Sequence, residues 1–302
     1  MKAALTAETM ASRRTGPAAW AQDRLLRALI GALLLLPYAW RVPLCGWVMS
    51  RLIAPFAGWD RRVRANLARV LPDLPEAEVR RLMRRVPDNV GRAVIESYSG
   101  QAFVERAARA PVTGPGLATL EAAHEAGRPV VIVTGHFGNY DASRAALRAR
   151  GFEIGGLYRP MNNRYFNEHY VRAMAAIGGP VFARGKAGLA GMLRHLKGGG
   201  MLGLLIDVHM RDGAVLRFFG HPAKTALSAA DLALKYDAPL VPVYAIRAEN
   251  GLDFEIRVDA PIPRGTPAEM TQALNDSLEA VVREHLDQWF WIHRRWRVAP
   301  AA

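Results

Sequence analysis

The sequence predicts an α/β fold: a mixed, mostly parallel sheet covered by helices, behind a helical N-terminal region. Three observations carry the prediction. Uninterrupted apolar runs such as PVVIV at 129–133 and MLGLLI at 201–206 lack the alternation of a half-exposed strand, so they read as strands covered on both faces. Stretches with apolar residues at helical spacing stand between them, the order of elements that builds such a sheet. The N-terminal third follows another pattern, helical spacing with arginines on the opposite face.

A chain of 302 residues with 51% hydrophobic content is long enough for one large core, and disorder is excluded as a class. The single cysteine, Cys45, permits no internal disulfide; lying in an apolar run without a metal-ligating neighbour, it reads as packing in a reducing compartment. The net charge of +13 is unevenly placed. Residues 1–110 hold 18 Lys and Arg against 9 Asp and Glu. Arginine dominates, and its planar fork suits phosphate and carboxylate. Such a region asks for an anionic partner, either nucleic acid or an anionic membrane surface.

Residues 28–50 favour the membrane. ALIGALLLLPYAW and VPLCGWVMS carry no charge and are split by Arg41, near the length of a membrane span without meeting it cleanly. Trp20, Tyr38, Trp40 and Trp47, with Arg24, Arg27, Arg41 and Arg51, are aromatic and basic anchors of the interfacial kind. A signal peptide is the rival, but no small-x-small cleavage site follows the leucine run; a buried core helix is the other alternative.

Residues 1–24 are read as an N-terminal tail and residues 25–110 as a membrane-anchoring and helical cap region, in which PDLP at 72–75 punctuates the helices. The run Arg80, Arg81, Arg84 and Arg85 reads as a solvated face. Residues 111–302 form the α/β region, integrated with the cap. A helix over 117–127 leads to the strand PVVIVTG, then to a helix over DASRAALRARG closed by Gly151. EIGGLYRP, a helix over KAGLAGMLRHLKGGG, the strand MLGLLID, a helix over ALSAADLALKYDA, the strands PLVPVYAIR and DFEIRVD and a long closing helix follow. The final segment, QWFWIHRRWR, has two readings: an aromatic core edge, or a belt of Trp289, Trp291 and Trp296 beside arginines at lipid headgroups.

The candidate chemistry lies in VTGHFGNYDASR at 133–144. His136 follows a buried strand, where ligands bind in open α/β sheets. Asp141 lies five residues on, about 140° away on an ideal helix, so the two can meet only across a turn entering a helix. Asn139 is the expected N-cap, and Gly135 and Gly138 would let backbone approach a substrate. Asp141 is expected to reach back and fix the imidazole tautomer, leaving His136 as general base for a hydroxyl. Asp207, ending GLLID, would deliver a polar group to the same cleft. His209 and His221 with Asp207 fit no strong metal pattern, so no metal is expected, and KGGGM joins helix to strand in the wrong order for a nucleotide loop.

GHFGNYD resembles the H-x-x-x-x-D/E block of the lysophospholipid acyltransferase superfamily, specifically its lipid A late acyltransferase branch, which includes the Kdo2-lipid A lauroyl and myristoyl transferases. LYRPMNNRYFN, LKGGGMLGLLID, LRFFGHPAKTALSAADLAL, APLVPVYAIR and QWFWIHRRWR agree in order, so the resemblance spans about residues 25–297. It implies a glycerol-phosphate acyltransferase-like fold at the cytoplasmic face of a bacterial inner membrane. The enzyme would move a fatty acyl chain from acyl carrier protein, or acyl-CoA, to a lipid hydroxyl in a late step of lipid A biosynthesis, with no cofactor. His136 then corresponds to the general base and Asp141 to its partner. Tyr158 and Arg159 match the second block, whose arginine binds acceptor phosphate or donor phosphopantetheine, and Gly138, Asn139 and Asp207 join them as substrate-binding residues.

Many members of the branch carry glutamate where this chain has Asp141. Where glycerolipid members carry an E-G-T-R-S type block, this chain reads IDVHMRDG, which argues against an ordinary lysophosphatidic acid acyltransferase and leaves a lyso-aminolipid or a glycolipid as acceptor. The rival from another class is a non-catalytic membrane protein that holds anionic lipid through its arginines. No motif asks for nucleic acid.

Overall fold

The computed structural model describes residues 15–297. Six helices come first: α1 (Pro17–Leu34), α2 (Tyr38–Val48), which runs through a π-turn at Met49–Ile53 into α3 (Ala54–Phe56), α4 (Trp59–Val70), α5 (Glu76–Tyr98) and α6 (Gln101–Ala108). The helical region thus begins at Pro17, inside the segment read as a tail, whose residues 1–14 lie outside the described part. Strands and helices then alternate: β1 (Val112–Thr113), α7 (Leu117–Glu125), β2 (Val130–Thr134), α8 (Tyr140–Ala149), β3 (Ile154–Tyr158), α9 (Arg164–Ile177), β4 (Val181–Ala183), α10 (Lys186–Lys197) and β5 (Met201–Leu205). A hairpin of β6 (Ala214–Phe218) and β7 (His221–Thr225) follows, then α11 (Ser228–Lys235), β8 (Leu240–Arg247), β9 (Phe254–Val258) and α12 (Pro267–Glu284).

The seven-stranded sheet has the order β1-β9-β8-β2-β5-β3-β4, with every pair parallel except β8–β9. This is the expected mixed, mostly parallel sheet. Strand β2 shows why its sequence has no alternation. Val130 and Ile132 pack with α6, α7 and α8 on one face, while Val131 and Val133 pack with α10, α11 and α12 on the other. Strands β2 and β5 pair in register, Val130 opposite Met201 through Thr134 opposite Leu205, and the Ile206 amide continues the ladder to the Thr134 carbonyl. Each chain leaves the sheet at the same edge, so residues 136 and 207 emerge side by side.

A third apolar cluster joins the cap to the α/β region. Val63, Leu67, Leu82 and Val86 of α4 and α5 meet Phe218 and Phe219 of the hairpin, Leu278 and Val282 of α12, and Trp289, Trp291 and Trp296. The lipid-belt reading of the C-terminal tryptophans is therefore corrected: they are 1%, 0% and 7% exposed and pack against one another and Phe218 as a core. Their indole N–H groups find partners inside, as buried tryptophan requires: Asp207, the Leu286 carbonyl and the Phe218 carbonyl.

Helix α1 is fixed to the start of α9. Asn163, the N-cap of α9, donates to the Ala19 carbonyl, and Arg27, held by buried Asp23, donates to the Tyr165 carbonyl. Arg80, Arg81 and Arg85 are exposed, as expected, and pair with Glu76, Glu78 and Asp287. Cys45 is half-buried, and burial pushes its thiol up to about 11, which keeps it protonated and inert.

Candidate active site

The parallel register of β2 and β5 determines which carboxylate meets His136. The Nδ1 of His136 lies 2.8 Å from Asp207 Oδ1, and its backbone N–H donates to Asp207 Oδ2 at 2.7 Å. Trp289 Nε1–H donates to the same Oδ2 at 3.0 Å. Asp207 is fully buried, while His136 keeps 32% of its side-chain surface exposed. Two N–H donors thus hold Oδ2 from behind, and with the Nδ1 proton toward Oδ1, Nε2 of His136 remains for chemistry at the open side. Burial pulls the His136 imidazolium toward deprotonation, but the charge and hydrogen bond of Asp207 outweigh it and hold the pKa above 6.5. Burial pushes Asp207 the other way, yet His136 and the donors around it keep its carboxyl well below the usual carboxylate range.

This geometry corrects the expected partner. Asp141 sits in the first turn of α8, buried, and its Oδ1 accepts from Arg144 Nη1 at 2.9 Å; Arg144 in turn donates to the Gly178 carbonyl beyond α9. Once α8 begins at Tyr140, Asp141 turns with the helix toward α9, whereas His136 still belongs to the strand exit. Asp141 therefore ties α8 to α9. Asp207, expected to touch substrate, stands instead behind His136.

Gly138 and Asn139, expected to bind substrate, are engaged by the protein itself. Asn139 is the N-cap of α8, as expected: its Oδ1 accepts from the Asp141 amide. Its Nδ2 donates to buried Glu96 at 2.8 Å. Gly138 has φ +53°, and a Cβ there would collide with the Ala245 carbonyl oxygen of β8. Gly135 likewise serves close packing, because a Cβ would press on Leu278 and on Asp207. Tyr158 ends β3 with its ring edge-on to Tyr170, and exposed Arg159 donates to Asn162 at 3.2 Å. Strand β3 pairs with β5, two strand spacings or roughly 10 Å from β2, so both residues lie on the rim that carries His136.

Sequence reasoning missed the contribution of the C-terminal segment. The Phe290 amide donates to the His136 carbonyl, Phe137 and Trp289 form a single β-bridge, and the His293 ring stands edge-on to that of His136 at 4.7 Å. Asn66 of α4 holds this segment by donating to the Trp291 and His293 carbonyls. Burial pushes His293 down to about 4, so it is neutral beside His136 near pH 7, and its Nε2 is buried without a hydrogen-bond partner. Among the described residues, His136, Asp207 and His293 form a group with metal-ligand atom types close together. Two N–H donors, from His136 and Trp289, already hold Asp207 Oδ2, and its Oδ1 lies against His136 Nδ1, which suits a carboxylate that orients the imidazole. The signal in the sequence was a histidine among aromatics in WFWIHRRW, read only for its tryptophans and arginines.

A half-exposed imidazole oriented by a buried carboxylate at the carboxyl edge of a parallel sheet is suited to removing a proton from a hydroxyl. The sequence profile of the bacterial lipid A biosynthesis acyltransferase family matches residues 12–298. Phosphatidylinositol mannoside acyltransferases of two Mycobacterium tuberculosis strains, CDC 1551 / Oshkosh and H37Rv, are each 23% identical over 282 residues, covering 83% of this chain and 86% of theirs. A lipid A biosynthesis acyltransferase of Haemophilus influenzae is 24% identical over 181 residues, 59% of this chain and 56% of its own. A match over nearly the whole length places the chain in the bacterial lipid A biosynthesis acyltransferase family, and it is an acyltransferase.

Proposed function

We propose that the enzyme transfers a fatty acyl chain from acyl carrier protein, or acyl-CoA, to a hydroxyl of a membrane glycolipid, a late acylation of lipid A being the leading assignment. The observation that carries this reading is the His136–Asp207 pair, with Nδ1 engaged and Nε2 open at the sheet edge. Nε2 takes the proton of the acceptor hydroxyl as its oxygen bonds to the thioester carbon. The tetrahedral intermediate collapses by breaking the carbon–sulfur bond, and the imidazolium returns the proton to the departing sulfur. The products are an ester and a free thiol, with no acyl-enzyme. Arg159, on the same rim, is the cation assigned to a phosphate of donor or acceptor.

The names of the relatives bear on the acceptor. One is a mannoside and the other lipid A, so a glycolipid is the acceptor class both support. The mannoside relatives align over more of the chain than the lipid A relative, 83% against 59%, which favours a glycolipid other than lipid A as the second reading. Mass spectrometry of lipids from a strain lacking the protein decides: lipid A short of one acyl chain supports the leading assignment, an under-acylated glycolipid the second, and an accumulating lyso-aminolipid counts against both.

Residues 20–56 support a seat on the membrane surface. No helix among the described residues is long and apolar enough to cross a membrane. Yet Trp20, Leu35, Trp40, Trp47, Leu52 and Phe56 lie exposed, Phe56 at 93% and Leu35 at 87%, with Arg24 and Arg51 among them. We place this face in the anionic leaflet at the cytoplasmic side of the bacterial inner membrane, aromatics at headgroup level and arginines on phosphate. Replacing Trp40 and Phe56 together by Asp is expected to weaken co-sedimentation with phosphatidylglycerol vesicles by about tenfold or more. Far-UV circular dichroism should not change, because both side chains are exposed.

A further inference from the structure

A buried ion pair stands behind the turn that carries His136. Glu96 of α5 is fully buried and Arg247, the last residue of β8, is 8% exposed. They meet through two hydrogen bonds, Nη1 to Oε1 at 2.5 Å and Nη2 to Oε2 at 2.7 Å, with the guanidinium over the Phe254 ring. Neither touches His136. Apart from one bond from Arg247 Nη1 to the Gly251 carbonyl, their neighbouring hydrogen bonds lead to the turn. Glu96 Oε2 also accepts from Asn139, while Arg247 Nε donates to Asn89 Oδ1, whose Nδ2 donates to the Gly138 carbonyl. The backbone of Arg247 exchanges two hydrogen bonds with the Gln288 side chain, and the Gln288 carbonyl accepts from the Gly138 amide. Gln288 directly precedes Trp289, which holds Asp207.

We infer that Glu96 and Arg247 are positioning residues for the catalytic pair, an inference that rests on the proposed role of His136. One arm, through Asn139 and Gly138, sets where α8 starts and so where His136 leaves β2. The other, from the Arg247 guanidinium through Asn89 to the Gln288 carbonyl and on to Trp289, sets the rotation of the Asp207 carboxylate. Stability alone does not account for the pair, because a buried ion pair and a well-packed apolar pair of similar volume are commonly of comparable stability. What the apolar pair lacks is the directional hold on Asn139 and Asn89.

The test is the double variant Glu96→Leu/Arg247→Met, which leaves no unpaired buried charge, beside Asn139→Ser, which keeps an N-cap oxygen but loses the donor to Glu96. Expected are a melting temperature near that of the native enzyme, kcat lower by about 10- to 100-fold in the double variant with KM little changed, and a smaller loss in Asn139→Ser. The pKa of His136, followed by NMR without substrate, should fall in both, because His136 and Asp207, displaced from one another, lose the contact that offsets burial. Native kcat and an unmoved His136 pKa in both variants would overturn the inference, as would a loss of activity that only tracks the loss of folded protein. If the native enzyme transferred no acyl group, the proposed function would fail, and the NMR titration would still decide whether the pair holds the histidine.

Discussion

Asp207→Asn is expected to lower kcat by about 10³- to 10⁴-fold, the size of effect seen when an orienting carboxylate becomes an amide and the wrong tautomer results. The reason lies in the three donors around the carboxylate. Asparagine would keep its carbonyl oxygen toward the His136 amide and the Trp289 indole, which both donate to Oδ2, and turn its NH₂ toward Nδ1. That forces Nδ1 to accept, moves the ring proton to Nε2 and removes the lone pair that a base requires. Asp141→Asn is expected to behave differently. It breaks a buried pair with Arg144 and lowers stability by about 3 kcal/mol, but kcat per folded molecule stays within about threefold. Unfolding by urea beside single-turnover acyl transfer separates the two effects.

His136→Ala carries the other large effect: loss of about 10²- to 10⁴-fold in kcat from the missing base, with the fold retained because the ring is partly exposed. The pH dependence gives the sign. In the proposed mechanism His136 acts as its neutral form, so kcat/KM is expected to rise with pH as the imidazolium loses its proton, with the midpoint raised by Asp207 above that of an ordinary histidine. Without the carboxylate, burial alone acts on the imidazole, so the residual activity of Asp207→Asn should show its acid limb at lower pH. In His136→Ala the limb disappears. Circular dichroism of each variant distinguishes lost chemistry from lost fold.

Much of the fold was legible because its physics is local. The runs at 130–134, 201–205 and 240–247 could only be strands covered on both faces, and the helices between them have clear periodicity. The β6–β7 hairpin was not foreseen. Its two turn residues, Phe219 at φ 52° and Gly220 at φ 71°, adopt the left-handed region without the usual Asn-Gly or Asp-Gly signal. Phe219 is held there by its amide on the Glu279 carboxylate and by Trp291 and Trp296, contacts distant in sequence. Helix α9, with Asn163 as its cap, was also not anticipated.

The site was legible at His136 and not at its partner. Nearness in sequence favoured Asp141, while register across the sheet selected Asp207, 71 residues away. The register was implicit in two equal apolar runs, each releasing a polar residue two positions beyond its end, but only the order of strands says that the runs are neighbours. Glu96 and Arg247 gave no local signal, since one reads as a helix charge and the other as a strand end. Gly138 reads as room for a substrate because glycine lets backbone approach closely; here it lets the turn sink onto β8, while Asn139 turns its amide to Glu96 of α5.

The claim that Asp207, not Asp141, governs His136 is tested most directly by titrating His136 by NMR in the native protein, in Asp207→Asn and in Asp141→Asn. Expected is a His136 pKa above that of an ordinary histidine in the native protein and in Asp141→Asn, and a marked fall in Asp207→Asn. A fall in Asp141→Asn with Asp207→Asn left at the native value would contradict it.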